Sequence, residues 1–489
     1  MTPANRVRTL LASMVAAAWA ACVLLSPPPG AFWWSTPLSG SFVGAGLAAL
    51  LAWAYLLRGR RVVFALAVGF VALPLYVRTH NAAKLSLGSP ALLYSQSGDA
   101  DELLTRTLSA AGLERSFRDD LFSDQVEIGI AVLNRSLTFD MVKHPPFLPA
   151  ASLAMGVAGL VTPSSLPLAI PLTLGLAGIA ALNAAAAALL LQLAVGGAGL
   201  GRLLAVAAVF AFAPWYYGGA IETYAFTGLT VQLFLIAWLA YHRAPSRVSL
   251  AVMGTALGLA VVTQPPLAVL GALCAASILG RNGGRFGASV RIGGCAALAF
   301  CVAFGLGSAI RFTYAAGGSP WAQRSPHDYL EGLRSVYGSI PRMSFATLGD
   351  VVLGQTVFAF VGADGVQGYG HGWDSLRSLR GGLGTLSALA SLGLLGFLAL
   401  RGCRGGRPES RRVLVGIGGA ALVYVLFFWW FNPGEMVLYS SPLVPAILAF
   451  LGNRAERSWP RVALVASFVL VVALALANAA AIMAHELRP

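Results

Sequence analysis

Apolar stretches, each close to the length of a membrane span, alternate with short polar turns along most of the chain. Crossing the hydrocarbon core takes about 20 apolar residues, and backbone groups in lipid must be satisfied within the segment, which favours helices. The pattern therefore predicts an all-α polytopic membrane protein with about 12–14 transmembrane helices. The predicted spans are 9–27, 39–57, 62–77, 147–162, 167–197, 203–217, 223–241, 248–263, 267–280, 292–310, 381–400, 413–430, 437–452 and 462–484.

Two long polar loops interrupt this pattern, at residues 78–143 and 311–380. Within the first loop, segments 103–114 and 117–130 mix apolar and charged residues, as is typical of helices that lie along the membrane interface. Within the second, the weakly apolar piece 348–363 is predicted to be a re-entrant or surface segment. Both loops belong to a single membrane domain that covers residues 1–489.

The composition excludes a soluble globular protein, because 57% of the residues are hydrophobic and 11% are charged, against about a quarter charged in a typical soluble domain. The net charge of +14 comes largely from arginines in short connections, such as 58–61, 243–247 and 401–412. This is the positive-inside pattern, so the charge indicates topology and no nucleic-acid partner is expected. It predicts a multi-pass protein of the plasma (inner) membrane with loops 78–143 and 311–380 on the extracytoplasmic face.

The number of passes between residues 144 and 200 stays open. The basic turn at residues 242–247 is cytoplasmic only if 167–197 crosses the membrane twice, or if the segment that begins at His144 is re-entrant.

The polar residues at the predicted span ends all face outward. A charge at the bilayer centre costs about 3 kcal/mol on insertion scales, so an acid at a span end indicates a wet cavity or a partner. Asp99, Asp101 and Glu102 also suit a helix N-terminus, and His144-Pro145-Pro146 also suits a plain helix start. The outward set is Asp99, Asp101, Glu102, Lys143, His144, Tyr216, Tyr217, Glu222, Gln264, Glu435 and most of the loop 311–380, which begins with Arg311.

The order of these features resembles the type C glycosyltransferase superfamily, in its branch of protein mannosyltransferases and aminoarabinose transferases. Compared with that family, two extra helices precede the acidic loop here, and Gln264 stands where the family has lysine. The motifs that carry the resemblance are Ser97-Gly98-Asp99-Ala100-Asp101-Glu102, Lys143-His144-Pro145-Pro146-Phe147-Leu148-Pro149, Pro214-Trp215-Tyr216-Tyr217-Gly218-Gly219-Ala220-Ile221-Glu222-Thr223 and Gly258-Leu259-Ala260-Val261-Val262-Thr263-Gln264.

The resemblance implies transfer of a sugar from a polyprenyl-phosphate donor to a glycan, lipid or protein acceptor. Asp101 would act as general base, with Asp99 the next candidate and Glu102 beside them. Lys143, His144 and Arg311 would contact the donor phosphate, and Glu222, Gln264 and Tyr217 would complete the donor site. No cofactor is firmly expected, but Asp99, Asp101, His144 and Glu222 have the composition of a divalent-cation site.

The alternative function is a polytopic transporter or a flippase for lipid-linked sugars. Transporters place broken helices and charges near the membrane midplane in repeated halves. In this chain the charges gather at one face and no repeat is visible, which favours the enzyme.

Overall fold

The computed structural model describes thirteen helices and no strand in the parts of the chain that it covers. These parts are residues 3–27, 33, 36, 38–79, 147–162, 169–195, 198–216, 218, 224–264, 267–282, 286–316, 348, 359–361, 393, 422, 425, 426, 429, 440–458 and 460–486. The helices are α1 (Pro3–Leu25), α2 (Gly40–Leu56), α3 (Arg61–Thr79), α4 (Phe147–Gly159), α5 (Ala169–Ala194), α6 (Ala198–Phe210), α7 (Phe212–Tyr216), α8 (Tyr224–Arg243), α9 (Arg247–Thr263), α10 (Ala268–Asn282), α11 (Phe286–Ala316), α12 (Val444–Ser458) and α13 (Pro460–Glu486).

The prediction of an all-α multi-pass membrane protein is confirmed. Within the described residues, six helical segments are long and apolar enough to span a bilayer: Pro3–Leu25, Arg61–Thr79, Leu174–Ala194, Tyr224–Arg243, Phe286–Ala309 and Arg461–Met483. The span count of 12–14 and the resemblance to type C glycosyltransferases stay predictions.

Helix α5 occupies the centre of the bundle and packs against α3, α4, α6, α8 and α12. Small residues allow these helices to approach closely, as is usual inside membranes. A Cβ added at Gly69 of α3 would lie 3.0 Å from the Ala181 carbonyl oxygen of α5. A Cβ added at Gly258 of α9 would lie 2.6 Å from the Ala299 carbonyl oxygen of α11. The close approach of α3 to α5 and of α9 to α11 therefore depends on glycine at positions 69 and 258.

One end of the bundle carries the arginine-rich turns and is called the basic end: Arg58, Arg60, Arg61, Arg243 and Arg247. The turn between α2 and α3 is tight, with the Arg60 N–H donating to the Leu57 carbonyl at 3.0 Å and Gly59 at φ +86°, a conformation that favours glycine. The turn between α8 and α9 ends in a capping box, in which the side chains of Ser246 and Ser249 each accept from the other's backbone N–H.

The direction of α5 follows from contacts at the basic end. Gln192, near the C-terminus of α5, donates from Nε2 to the Arg61 carbonyl at 3.2 Å, and Arg243 donates to the Leu193 carbonyl. Helix α5 therefore runs toward the basic end, antiparallel to α3, and its N-terminus lies at the opposite end. That opposite end is called the loop end, because α3 finishes there and the acidic loop follows.

This direction decides between the two predicted topologies around residues 144–200. Residues 169–194 form one helix of 26 residues, about 39 Å long, so the stretch crosses once and the two-pass alternative is wrong. Helix α4 has 13 residues and is about 20 Å long, less than the hydrocarbon thickness of about 30 Å. If α4 is re-entrant, the arginine-rich turns before and after it lie on the same side of the membrane, as the positive-inside pattern requires.

Helix α11 extends further than its predicted span of 292–310. It continues through Ala316, so the second polar loop does not begin at Arg311 but after the helix ends. With 31 residues and a length of about 47 Å, α11 exceeds the hydrocarbon thickness and must tilt or project into the interface. Its last two turns, which contain Arg311, lie at the loop end.

Candidate functional site

Most of the predicted site residues lie outside the described residues: Asp99, Asp101, Glu102, Lys143, His144, Tyr217 and Glu222. The two predicted interfacial helices lie outside them as well. Gln264 is described in full, and Arg311 is described as a position on α11. In the part of the chain that the structure covers, no three His, Cys, Asp or Glu side chains gather as metal ligands. The divalent-cation set falls on residues beyond that part.

The root of the acidic loop is bonded to the root of the segment that carries Glu222. Thr79, the last residue of α3, and Trp215 of α7 are both fully buried. The Trp215 indole N–H donates to Thr79 Oγ1 at 2.7 Å, and the same hydroxyl donates to the Leu75 carbonyl at 2.8 Å. The hydroxyl of Thr79 thus serves as donor and acceptor, and it holds both chain segments at the loop end.

A close backbone approach reinforces this junction. The Gly218 N–H donates to the Trp215 carbonyl at 3.2 Å. A Cβ at Gly218 would lie 2.7 Å from the Pro214 carbonyl oxygen and 2.9 Å from the ring of Tyr76, one turn before Thr79 in α3. Only glycine lets the chain pass this ring. The segment that leads to Glu222 therefore begins beside the last turn of α3.

Pro214 explains the break between α6 and α7. Proline has no N–H to donate to the carbonyl four residues earlier, which here belongs to Phe210. Asn478 of α13 supplies the missing donor: its Nδ2 donates to the carbonyls of Phe210 and Phe360, each at 2.7 Å. The Phe210 carbonyl, which lacks its usual helical donor, thus accepts a hydrogen bond from the Asn478 side chain, as buried backbone groups require.

A short piece of the second polar loop pairs with the start of α7. The N–H of Phe212 donates to the Phe360 carbonyl at 3.1 Å, and the N–H of Ala213 donates to the Ala359 carbonyl at 3.0 Å. Residues 359–361 are buried within the bundle. Apart from residues 348 and 359–361, the segment 348–363 lies outside the described residues, so its prediction as a re-entrant or surface segment stays a prediction.

Arg78 is a residue whose importance the sequence reasoning missed. It is 1% exposed and donates from Nε to the Trp33 carbonyl at 3.2 Å, and from Nη2 to the Val23 carbonyl at 3.1 Å and Ser26 Oγ at 2.6 Å. Its guanidinium lies 3.7 Å from the ring centroid of Phe42. One signal was present in the sequence: an arginine at the predicted outer end of a span runs against the positive-inside rule and needs partners inside the protein.

Gln264 and Arg311 lie at the loop end on neighbouring parallel helices. Gln264 caps α9 in an extended conformation and is 5% exposed. Its N–H donates to the Ala260 carbonyl, and its carbonyl accepts from the N–H of Leu267, each at 2.9 Å. Gly258 of α9 packs at the level of Ala299 and Val302 of α11. Continuing that register places Arg311 about one helical turn beyond Gln264.

Helix α8 links these positions to the junction, because it packs along α9 and its first residue, Tyr224, follows Glu222 by two positions. The structure therefore gathers at one end Gln264, the Arg311 position and the roots of the segments that carry the acids. Such an end can present carboxylates, a cation and an amide to a substrate at the membrane surface. No protein-family model, no curated protein and no solved structure matches this chain.

Proposed function

We propose that this protein is a membrane glycosyltransferase that transfers a sugar from a polyprenyl-phosphate donor to an acceptor on the extracytoplasmic face of the plasma membrane. The observation that carries the proposal is the bond between Trp215 and Thr79, at 2.7 Å. It brings the root of the loop with Asp99, Asp101 and Glu102 next to the root of the segment with Tyr217 and Glu222. A transferase needs such acids beside a donor site.

The basic end supports the orientation. Arginines of two separate turns gather there, whereas the predicted acids follow helices that end at the loop end. Because arginine-rich connections remain in the cytoplasm, the loop end faces outward. Polyprenyl-phosphate sugars are membrane-bound, so a site at the membrane surface can receive the lipid from the bilayer and the acceptor from the aqueous side.

The proposed reaction assigns one role to each group. The acceptor's hydroxyl or amine attacks the anomeric carbon, the bond from that carbon to the phosphate oxygen breaks, and polyprenyl phosphate leaves. Asp101 takes the acceptor's proton, with Asp99 and Glu102 beside it. Lys143, His144 and Arg311 stabilise the departing phosphate, while Gln264, Tyr217 and Glu222 hold the donor. A divalent cation held by Asp99, Asp101, His144 and Glu222 would supply further positive charge to the phosphate.

The test uses the purified protein with a panel of polyprenyl-phosphate hexoses and pentoses and an extract of acceptors. Release of free polyprenyl phosphate is expected. Asp101→Asn keeps the shape of the side chain but removes proton transfer, so turnover should fall at least about a hundredfold with donor binding retained. Asp119→Asn, in the same loop but outside the acidic motif, is the matched control. Full activity in both Asp101→Asn and Asp99→Asn would contradict the proposed site.

The transporter or flippase alternative has one observation in its favour. Several uncharged polar atoms inside the bundle find no hydrogen-bond partner among the described residues, and three of them lie on α5 and α8: Asn183 Oδ1, Thr227 Oγ1 and Gln232 Oε1. Asn183, near the middle of α5, also lies against Gly228 in the second turn of α8. Polar groups at this depth are typical of transport pathways. Solute movement into sealed vesicles without any donor cleavage would favour this alternative over the transferase.

A further inference from the structure

Three sulfur atoms from three different helices meet inside the bundle. Met253 lies on α9, Cys274 on α10 and Cys295 on α11, and their exposed fractions are 0%, 3% and 4%. The Cys274 thiol donates to Met253 Sδ at 3.5 Å, and the Cys295 side chain adjoins that of Cys274. The Cys295 carbonyl oxygen lies 3.3 Å from the Cβ position of Gly254, so α9 and α11 are in close contact at the residue that follows Met253.

The two thiols also line a half-open cavity of about 370 Å³ between α9, α10 and α11. The rest of its lining is apolar, with residues such as Leu257, Ile292 and Phe300. Among the described residues, no carboxylate or imidazole contributes to this lining. The cavity gives a small ion a path to the two thiols, and sulfur is the strong ligand that its described lining offers.

Thiolate and thioether ligands select soft metal ions, above all Cu(I), whereas magnesium, calcium and manganese prefer oxygen. With metal–sulfur bonds of about 2.3 Å, two sulfur atoms 3.5 Å apart can share one ion at an angle of about 100°. Three sulfur ligands fit a three-coordinate ion, while structural zinc sites have four.

We propose that Met253, Cys274 and Cys295 form a binding site for Cu(I) within the membrane, separate from the proposed transferase site. On binding, one thiol loses its proton to water and forms a thiolate–copper bond; the second thiol and the thioether bind as neutral ligands. The resulting complex has no net charge, as a low-dielectric interior favours. The bound ion ties α9, α10 and α11 together. Met253 precedes Gln264 by eleven residues of sequence, about 16 Å along the helix, so the ion cannot touch the loop end.

The test is a Cu(I) titration of the purified, reduced full-length protein without oxygen, against a coloured Cu(I) chelator. We expect one ion for each chain, and X-ray absorption should show a shell of three sulfur atoms. Cys274→Ser and Cys295→Ser should each abolish stoichiometric binding. Met253→Leu should reduce the shell to two sulfur atoms. Loss of a group that only supports a metal ligand costs about tenfold or more in affinity, so loss of the Met253 ligand itself should weaken binding at least about tenfold.

Cys301→Ser is the matched control, because Cys301 lies on the same helix as Cys295 but is exposed on its surface. This variant should bind Cu(I) like the unaltered protein. Met253→Leu nearly conserves volume, so it keeps the test valid if a cysteine variant fails to fold. Absence of stoichiometric binding in the unaltered protein would overturn the proposal, as would undiminished binding in the Cys274→Ser, Cys295→Ser double variant. In either case the three sulfur atoms would serve packing alone, and the proposed transferase would be unaffected.

Discussion

The indole of Trp215 and the hydroxyl of Thr79 are joined by a 2.7 Å hydrogen bond between residues 136 positions apart in the sequence. Both side chains are fully buried, so the bond connects two chain segments inside the bundle and not at its surface. It places the beginning of the acidic loop next to the beginning of the segment with Glu222. Interhelical bonds of this kind in membranes contribute modest stability, so its main effect is on position.

Trp215→Phe should therefore reduce activity more than it reduces stability. The change removes the donor to Thr79 and should cost about 1 kcal/mol in the free energy of unfolding. Transferase turnover should fall severalfold because the two loop roots are no longer held together. The measurements are unfolding in mixed micelles and release of polyprenyl phosphate.

Trp238→Phe is the control for this prediction. The indole Nε1 of Trp238 is buried in α8 without a hydrogen-bond partner among the described residues. Replacing it removes similar ring volume but no hydrogen bond, so stability and turnover should both be retained. Equal loss of turnover in the two variants would assign the effect to packing.

Arg78→Lys should destabilise the protein although it keeps the charge. Lysine cannot reproduce the planar fork that reaches the Val23 and Trp33 carbonyls and Ser26 together. The expected cost is about 2–3 kcal/mol in the free energy of unfolding, because hydrogen bonds to a buried charge are lost. Arg58→Lys is the control: Arg58 is exposed and stacks on Tyr55, and its replacement should change stability by less than about 0.5 kcal/mol. Equal stability of the Arg78→Lys and Arg58→Lys variants would contradict a stabilising role of the Arg78 hydrogen bonds.

Gly258→Ala should loosen the contact between α9 and α11. The new methyl group would meet the backbone of α11, which cannot rotate away as a side chain could. Overpacking of this kind costs about 1–3 kcal/mol. Gly44→Ala provides the comparison, since nothing lies within 4 Å of its Cβ position. There, the better helix propensity of alanine should stabilise α2 by up to about 1 kcal/mol. Thermal unfolding of both variants should show shifts of opposite sign.

The orientation of the bundle predicts which introduced cysteines react in intact cells. Cysteines at Ser97 and Ser325, in the two polar loops, should be labelled by an impermeant thiol reagent. Cysteines at Ala244 and Ser246, at the basic end, should not react until the membrane is opened. Ala244→Cys leaves the capping box of Ser246 and Ser249 intact, so it separates orientation from loss of the cap. Labelling of Ala244→Cys alone in intact cells would reverse the topology and the proposed active face.

The helical, multi-pass character of the protein follows from the sequence alone, because the length and apolarity of each stretch decide whether it can leave water. The bounds of α2, α3, α8 and α9 lie within two residues of their predicted spans, whereas α1 begins six residues before its predicted start at residue 9. The arginine-rich turns predicted which helix ends share one side, since each short turn returns the chain to the same surface. The motifs also nominated Asp99, Asp101, Glu102 and their partners, which remain hypotheses about segments outside the described residues.

The contacts between these helices and loops became clear from the tertiary structure. Residues 169–194 form one unbroken helix, and its direction through the bundle follows from the contact between Gln192 and Arg61, which no local sequence pattern contains. Residues 359–361 are buried where the carbonyls of Ala359 and Phe360 accept hydrogen bonds from the start of α7. The burial of Arg78 depends on three acceptors distant in the sequence. Hydrophobic length is a property of one segment, whereas hydrogen-bond satisfaction inside a bilayer is a property of neighbours. For that reason the spans could be predicted from the sequence and the partners of Thr79, Arg78 and Cys274 could not.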